Sequence, residues 1–180
     1  MPTFLASGNC VAVLFIVCAP TTRARANALA SLYRTGFRGG CYDLFAFNWI
    51  GVFLAAFAGF VVGGIWYGPV MGKKWMGAVG LTEEQIKVGN MPLIYGGALL
   101  FSLLASWTLA HTFQSYADVG ADLSVVAKIM TAFGAALGFI VPAIGTNYLF
   151  SQKSKGLFFI DASYWLLFYI AMGTVHAYLP

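Results

Sequence analysis

Asp161, Trp165, Tyr169, Met172 and His176 follow one another at steps of four, four, three and four residues. On a helix that spacing puts all five on one face, polar at both ends and aromatic between them. An acid on such a face could pass a proton or a cation, and the aromatic stripe could line a ligand cleft. The plainer readings are an interfacial Asp161 paired with Lys153, Lys155 or Asn147, and aromatic packing between helices. His111 and His176 could hold a metal together with Asp118 or Asp122. Two histidines on separate segments without a tight spacing motif are weak evidence for a ligand set, and histidines bonded to water or backbone explain them equally. Asn48 and Trp49 could anchor a ligand, or simply a helix end. The chain has no nucleophile–base pair, no His-x-x-x-His and no glycine loop between a strand and a helix, so nothing in it calls for a cofactor.

These residues matter because of where they lie. The chain has 180 residues, 60% of them hydrophobic and 9% charged, with a mean hydropathy of +0.80. Soluble domains carry roughly 25% charged residues, and here the apolar residues gather into long runs. About 20 apolar helical residues cross a bilayer core, and four stretches qualify: 45–67, 92–113, 125–150 and 157–178. The fold expected is all-α, a polytopic membrane protein with four transmembrane helices in a compact bundle. Polar residues inside such segments are costly and need partners. By this topology His111 and His176 share one leaflet with Asp118 and Asp122, while Asn147 and Asp161 meet at the opposite surface.

The elements that position them carry their own signals. Pro69 and the Lys73–Lys74 pair close the first span, and Trp49, Trp66, Tyr67, Trp75, Tyr148 and Tyr178 sit where amphipathic rings prefer headgroups. Between spans one and two, "GLTEEQIKVGN" reads as a short surface helix with a capping box from Thr82 and Gln85, ended by Gly89 and Asn90; a solvated loop is the alternative. Gly51, Ala55, Gly59 and Gly63 form a four-residue stripe that lets a neighbouring backbone approach. Ala98, Ser102, Ser106 and Ala110 repeat it in span two, and Gly134 and Gly138 in span three. Pro142 should free a carbonyl one turn earlier and bend the third span. With stripes on three helices, homo-oligomerisation through one of them is expected as an option. The ends of spans one and three, "GGIWYGPVMGKK" and "AIGTNYLFSQKSK", share an order of small residue, aromatic, then lysines, as a duplicated two-helix unit would.

Charge sets the orientation. From residue 42 onward six lysines balance six acids, and the net charge of +4 belongs to the four arginines Arg23, Arg25, Arg34 and Arg38. The pI of about 9.0 is therefore no sign of nucleic-acid binding. The lysine-bearing loops 68–91 and 151–156 lie on one side of a four-span chain, which the positive-inside rule makes cytoplasmic. The arginines then fall on the external side, directly before span one. This conflict suggests that residues 1–43, which also hold all three cysteines, derive from a misplaced start, with Leu44 as a non-ATG initiator. A genuine but poorly ordered tail is the alternative. Residues 44–180 form the four-helix domain.

The stretch "NWIGVFLAAFAGFVVGGIWYGPVMGKKWMGAVGLTEEQI", Asn48 to Ile86, resembles the opening of a family of small bacterial membrane proteins catalogued as domain of unknown function 1761. The resemblance rests on Asn48–Trp49, on Gly63 to Pro69, on Gly72 to Met76 and on Leu81 to Glu84, and continues more loosely to the C-terminus. It implies a membrane protein that begins near residue 44, and it brings no activity or catalytic residue. Two functional classes follow: a non-catalytic membrane module or accessory subunit, and a small permease or channel that acts as an oligomer. Either would sit in the cytoplasmic membrane with the lipid bilayer as its first partner.

Overall fold

The computed structural model describes residues 48–118 and 120–179, which belong to one compact unit. The segment 1–43, with its arginines and cysteines, lies outside the described residues. Helix α1 spans Trp49–Ile65 and runs on through a π-helical turn, Trp66–Val70. Two short helices follow, α2 (Gly72–Val79) and α3 (Glu83–Val88). The second span is α4 (Met91–Asp118). The third is α5 (Val125–Ala135), a second π turn (Ala136–Ile140) and α6 (Val141–Phe150), and the fourth is α7 (Lys155–Tyr178). No strand occurs among the described residues.

Four helices are long and apolar enough to cross a membrane: Trp49–Val70, Met91–Asp118, Val125–Phe150 and Lys155–Tyr178. Their outer faces are paved with apolar side chains, among them Phe53, Phe57, Phe101, Leu104 and Phe139. In water such a surface would aggregate; in lipid it is the ordinary exterior. The chain is a multi-pass membrane protein. The third span falls on the expected bounds. The first runs three residues further, to Val70, and residues 45–47 of its expected range lie outside the described residues. The fourth begins two residues earlier, at Lys155, and α4 continues five residues past Phe113. At 28 residues and 1.5 Å per residue it is about 42 Å long, more than a hydrocarbon core of about 30 Å requires.

Local chemistry explains the boundaries. Asn48, Ser124 and Ser154 cap α1, α5 and α7 by accepting backbone N–H groups of the first turn, which satisfies donors no carbonyl can reach. The surface helix α3 has the expected box: Thr82 Oγ1 accepts from Gln85 N–H and Gln85 Oε1 from Thr82 N–H. Between it and span one lies α2, a helix the sequence reading had not separated, which stops at Gly80 in the left-handed region (φ 80°). Where Pro142 was expected to free the Gly138 carbonyl and bend the third span, a π turn precedes it. The Val141 N–H reaches back five residues to the Ala136 carbonyl, so the missing proline donor is absorbed by a widened turn.

Helix α7 is the hub, packed most closely against α1 and α5, while α1 also packs on α4. The core joins Ala55, Leu109, Phe113, Ala132, Phe168 and Met172. Small residues make these approaches. A Cβ on Gly59 would lie 2.7 Å from the Phe168 ring, and one on Gly51 would lie 2.7 Å from the Leu179 carbonyl oxygen. Ala55 is fully buried in the same stripe, and Gly63 faces Tyr164. In span two Ser102, Ser106 and Ala110 are buried, whereas Ala98 is exposed. In span three the packing falls on Ala132 and Ala136, both fully buried, and Gly173 of α7 closes on the Ala132 methyl. Gly134 and Gly138 are exposed, with open space where a Cβ would stand. Residues two apart lie about 200° apart on a helix, so the glycine stripe faces away from the bundle.

Candidate functional site at the lysine-bearing end

Asp161 sits in the second turn of α7 and is 6% exposed. A carboxylate there needs donors, and it takes them from two other spans. The Tyr67 hydroxyl, from the π turn that ends span one, donates to Oδ1 at 2.7 Å. The Tyr148 hydroxyl, from α6, donates to Oδ2. Next to Tyr67, the Trp66 indole N–H donates to the Ile160 carbonyl at 3.1 Å. Spans one, three and four are thus tied together around one acid. Hydrogen bonds to a charged partner are about twice as strong as neutral ones, and in lipid they supply the glue that hydrophobicity does not.

The backbone of the first π turn makes this reach. Met71 N–H bonds to the Trp66 carbonyl at 2.8 Å, a five-residue step, and Gly68 adopts non-helical angles (φ −93°, ψ −105°) beside Pro69. Gly72 lets the chain fold back against this turn: a Cβ there would lie 2.5 Å from the Tyr67 carbonyl oxygen. The opening of α2 therefore depends on a glycine, and the lysine pair that follows is carried across the end of the bundle. Tyr67 packs edge-on against Trp75 at 5.5 Å and tilted against Tyr164 at 4.9 Å.

These residues floor a cleft of about 1020 Å³. Tyr67, Tyr148 and Asp161 lie on its polar side; Lys73, Lys87 and Lys153 reach it from α2, α3 and the loop before α7. Trp75, Met76, Ile86, Ile94 and Leu157 supply much of its apolar wall. Lysines from both lysine-bearing loops thus share one end of the molecule. No ion pair joins these three lysines to a carboxylate among the described residues.

The sequence reading expected Asp161 to pair with Lys153, Lys155 or Asn147. Its partners are Tyr67 and Tyr148. Asn147 is exposed, and its Oδ1 accepts from Ser151 Oγ at 3.4 Å; one residue along the helix is a turn of about 100°, which brings Tyr148 rather than Asn147 to the acid. Both tyrosines were read as interfacial anchors. The signal was available in the likeness of the "WYGPVMGKK" and "NYLFSQKSK" ends, each of which places a tyrosine seven residues before a lysine, Lys74 or Lys155.

The other end of the α7 face is a separate cluster. His176 is 4% exposed and its Nε2 lies 2.9 Å from Ser106 Oγ. The Ser106 hydroxyl spends its one hydrogen on the Val52 carbonyl at 2.8 Å, so Nε2 must be the donor of the pair. A cavity of about 140 Å³ lies beside the ring, bordered by Asn48, Gln114, Asp122 and Lys128. His111 and Asp118 do not border it; the His111 ring stacks on Trp107 at 6.0 Å. Among the described residues no three His, Cys, Asp or Glu side chains come together as a metal cluster would. Between the two ends, Trp165 and Tyr169 are half-buried, and the positions that fill the interior are Phe168 (2% exposed) and Met172 (0%). The aromatic stripe is packing: Trp165 and Tyr169 both lie against Phe168, at 5.1 and 5.5 Å.

A family model described as protein of unknown function (DUF1761) matches residues 50–177. The chain belongs to that family. Comparison with curated proteins and with solved structures gave no match. The DUF1761 region takes in all four spans, the tyrosine–aspartate cluster and the serine–histidine cluster.

Proposed function

We propose that this DUF1761 chain is a non-catalytic membrane module, closed to solutes, that works at its lysine-bearing end. The observation that carries the reading is the apolar stretch between the two polar clusters. Asp161 and His176 are fifteen residues apart on α7, about 22 Å along the axis, and Phe168 and Met172 fill the space between them against Gly59. A proton or cation crossing a single chain would have to pass Phe168 and Met172, which offer it no polar oxygen or nitrogen, with Tyr164 and Tyr169 only at the edge of that packing. Neither cluster holds a nucleophile beside a free base: the Ser106 hydroxyl is spent on a backbone carbonyl, and both Asp161 oxygens accept from phenols.

The chain resides, in this reading, in the bacterial cytoplasmic membrane with loops 68–91 and 151–156 inside, where lysines are retained. Cysteines introduced singly along α7 from position 161 to 176 test the closed interior. Water-soluble maleimide in intact and permeabilised cells should modify the two ends, each from one side only, and spare 165, 168 and 172. Labelling that continues through 168 and 172 from both sides overturns the reading. A second reading, a pore formed between copies, draws on Gly134 and Gly138, whose exposed face is open to another helix. Cross-linking between cysteines at 134 or 138 of two copies, together with ion flux in proteoliposomes, would favour it over the closed module.

A further inference from the structure

The cleft above Asp161 is larger than anything the tyrosine cluster needs. At about 1020 Å³ it reaches the upper end of the range for small-molecule sites. Its composition is divided. One wall is apolar, with Trp75, Met76, Ile86, Ile94 and Leu157, and three ammonium groups border it from separate elements. Against them stand two acids, Glu83 and the buried Asp161, and the latter has both oxygens engaged by phenols. A ligand that satisfies this surface carries an anionic group for the lysines and an apolar portion for the wall.

Position selects the source of that ligand. The cleft lies where span one ends and α4 begins, the depth at which headgroups meet protein. Ile94 and Tyr95 of α4 border it and are 54% and 58% exposed, next to Leu93 (71%), which does not line the cleft. The cleft therefore opens sideways to lipid as well as to water. A lipid could place its headgroup among the lysines while its acyl chains stay in the bilayer, so no apolar surface would have to cross water to dock. Basic pockets between transmembrane helices at the cytoplasmic surface take acidic lipid headgroups on the same grounds.

We propose that this cleft binds an acidic phospholipid, with its phosphate among Lys73, Lys87 and Lys153 and its glycerol and upper acyl carbons against Trp75, Met76 and Leu157. The site does not depend on whether the interior conducts, so the labelling experiment on α7 and the one below fail independently.

The test uses the full chain purified in a neutral detergent and titrated with phosphatidylglycerol or phosphatidylcholine, with bound lipid counted by native mass spectrometry. Phosphatidylglycerol should bind at least tenfold more tightly than phosphatidylcholine. The triple variant K73Q/K87Q/K153Q should lose at least tenfold in affinity, and the control K74Q/K128Q/K155Q, with the same net charge, less than twofold. The single variants should each lose about threefold to fivefold, which keeps the test open if the triple variant does not fold. Equal loss in the cleft and control variants, equal binding of the two lipids, or displacement of bound phosphatidylglycerol by millimolar inorganic phosphate would each overturn the proposal. The last outcome would mean a free-anion site.

Discussion

The two ends of α7 hold buried polar groups in different ways. At one end a carboxylate, which can only accept, gathers hydroxyls from spans one and three. At the other an imidazole donates to Ser106 on span two, and that hydroxyl passes a hydrogen to a backbone carbonyl of span one. The first cluster is a convergence of donors on one point. The second is a relay that ends on main chain. Together they fasten all four spans, one at each surface, where lipid gives helices no hydrophobic reason to associate. The difference teaches that an acid buried here commands neighbours, whereas a histidine can be served by one.

The sharpest way to break the comparison is to remove its centre. Asp161→Ala strands two phenols and deletes two charge-assisted bonds, and should cost about 3 kcal/mol of unfolding free energy in detergent. Ser106→Ala removes the acceptor of His176 and the donor to Val52, and should cost about 1.5 kcal/mol in the same denaturant titration. A larger loss at Ser106 than at Asp161 would reverse the ranking of the two ends. Tyr67→Phe and Tyr148→Phe should cost about 1 kcal/mol each. Their double variant should depart from additivity, because the remaining phenol holds the carboxylate alone after the first is gone.

The smallest effects sharpen the contrast in packing. A methyl on Gly51 meets the Leu179 carbonyl oxygen at 2.7 Å, whereas one on Gly63 meets the flexible Tyr164 side chain at 3.3 Å. Gly51→Ala should lower stability by about 1 kcal/mol. Gly63→Ala should be neutral within about 0.5 kcal/mol, since better helix propensity offsets the tight contact. Gly134→Ala, with nothing near it, should stabilise an isolated chain slightly; a loss there would point to contact between copies.

Much of the fold was legible because lipid imposes a simple rule. Twenty apolar residues in a row read as a span whatever their order, and the capping box of Thr82 and Gln85 follows from local turn chemistry. The rotation of each helix was harder to read. The spacing of Gly134 and Gly138 marks a stripe, but spacing does not say whether the stripe faces the bundle; Ala132 and Ala136 make the same pattern and are the ones that pack. Asp161 and His176 were identifiable as polar intrusions that need partners. Their partners were not, because tyrosine near a boundary has a sufficient explanation in headgroup anchoring and serine in a helix can satisfy itself on its own backbone. Gly173 escaped notice although Ala177 stands four positions on and makes the same small-residue spacing.

The widened turns at Trp66–Val70 and Ala136–Ile140 have an effect that outlasts their own residues. Each inserts one more residue than a regular turn holds, so everything beyond it is dialled round by about 100° relative to a helical wheel drawn from the span's beginning. The two parts of span three keep separate phases, α5 set by its fit to α7 and α6 by what must reach the boundary, whereas the first turn closes span one and carries Tyr67 itself. A deletion of one residue in the second turn would merge α5 and α6 into a single phase and swing Tyr148 out of reach of Asp161.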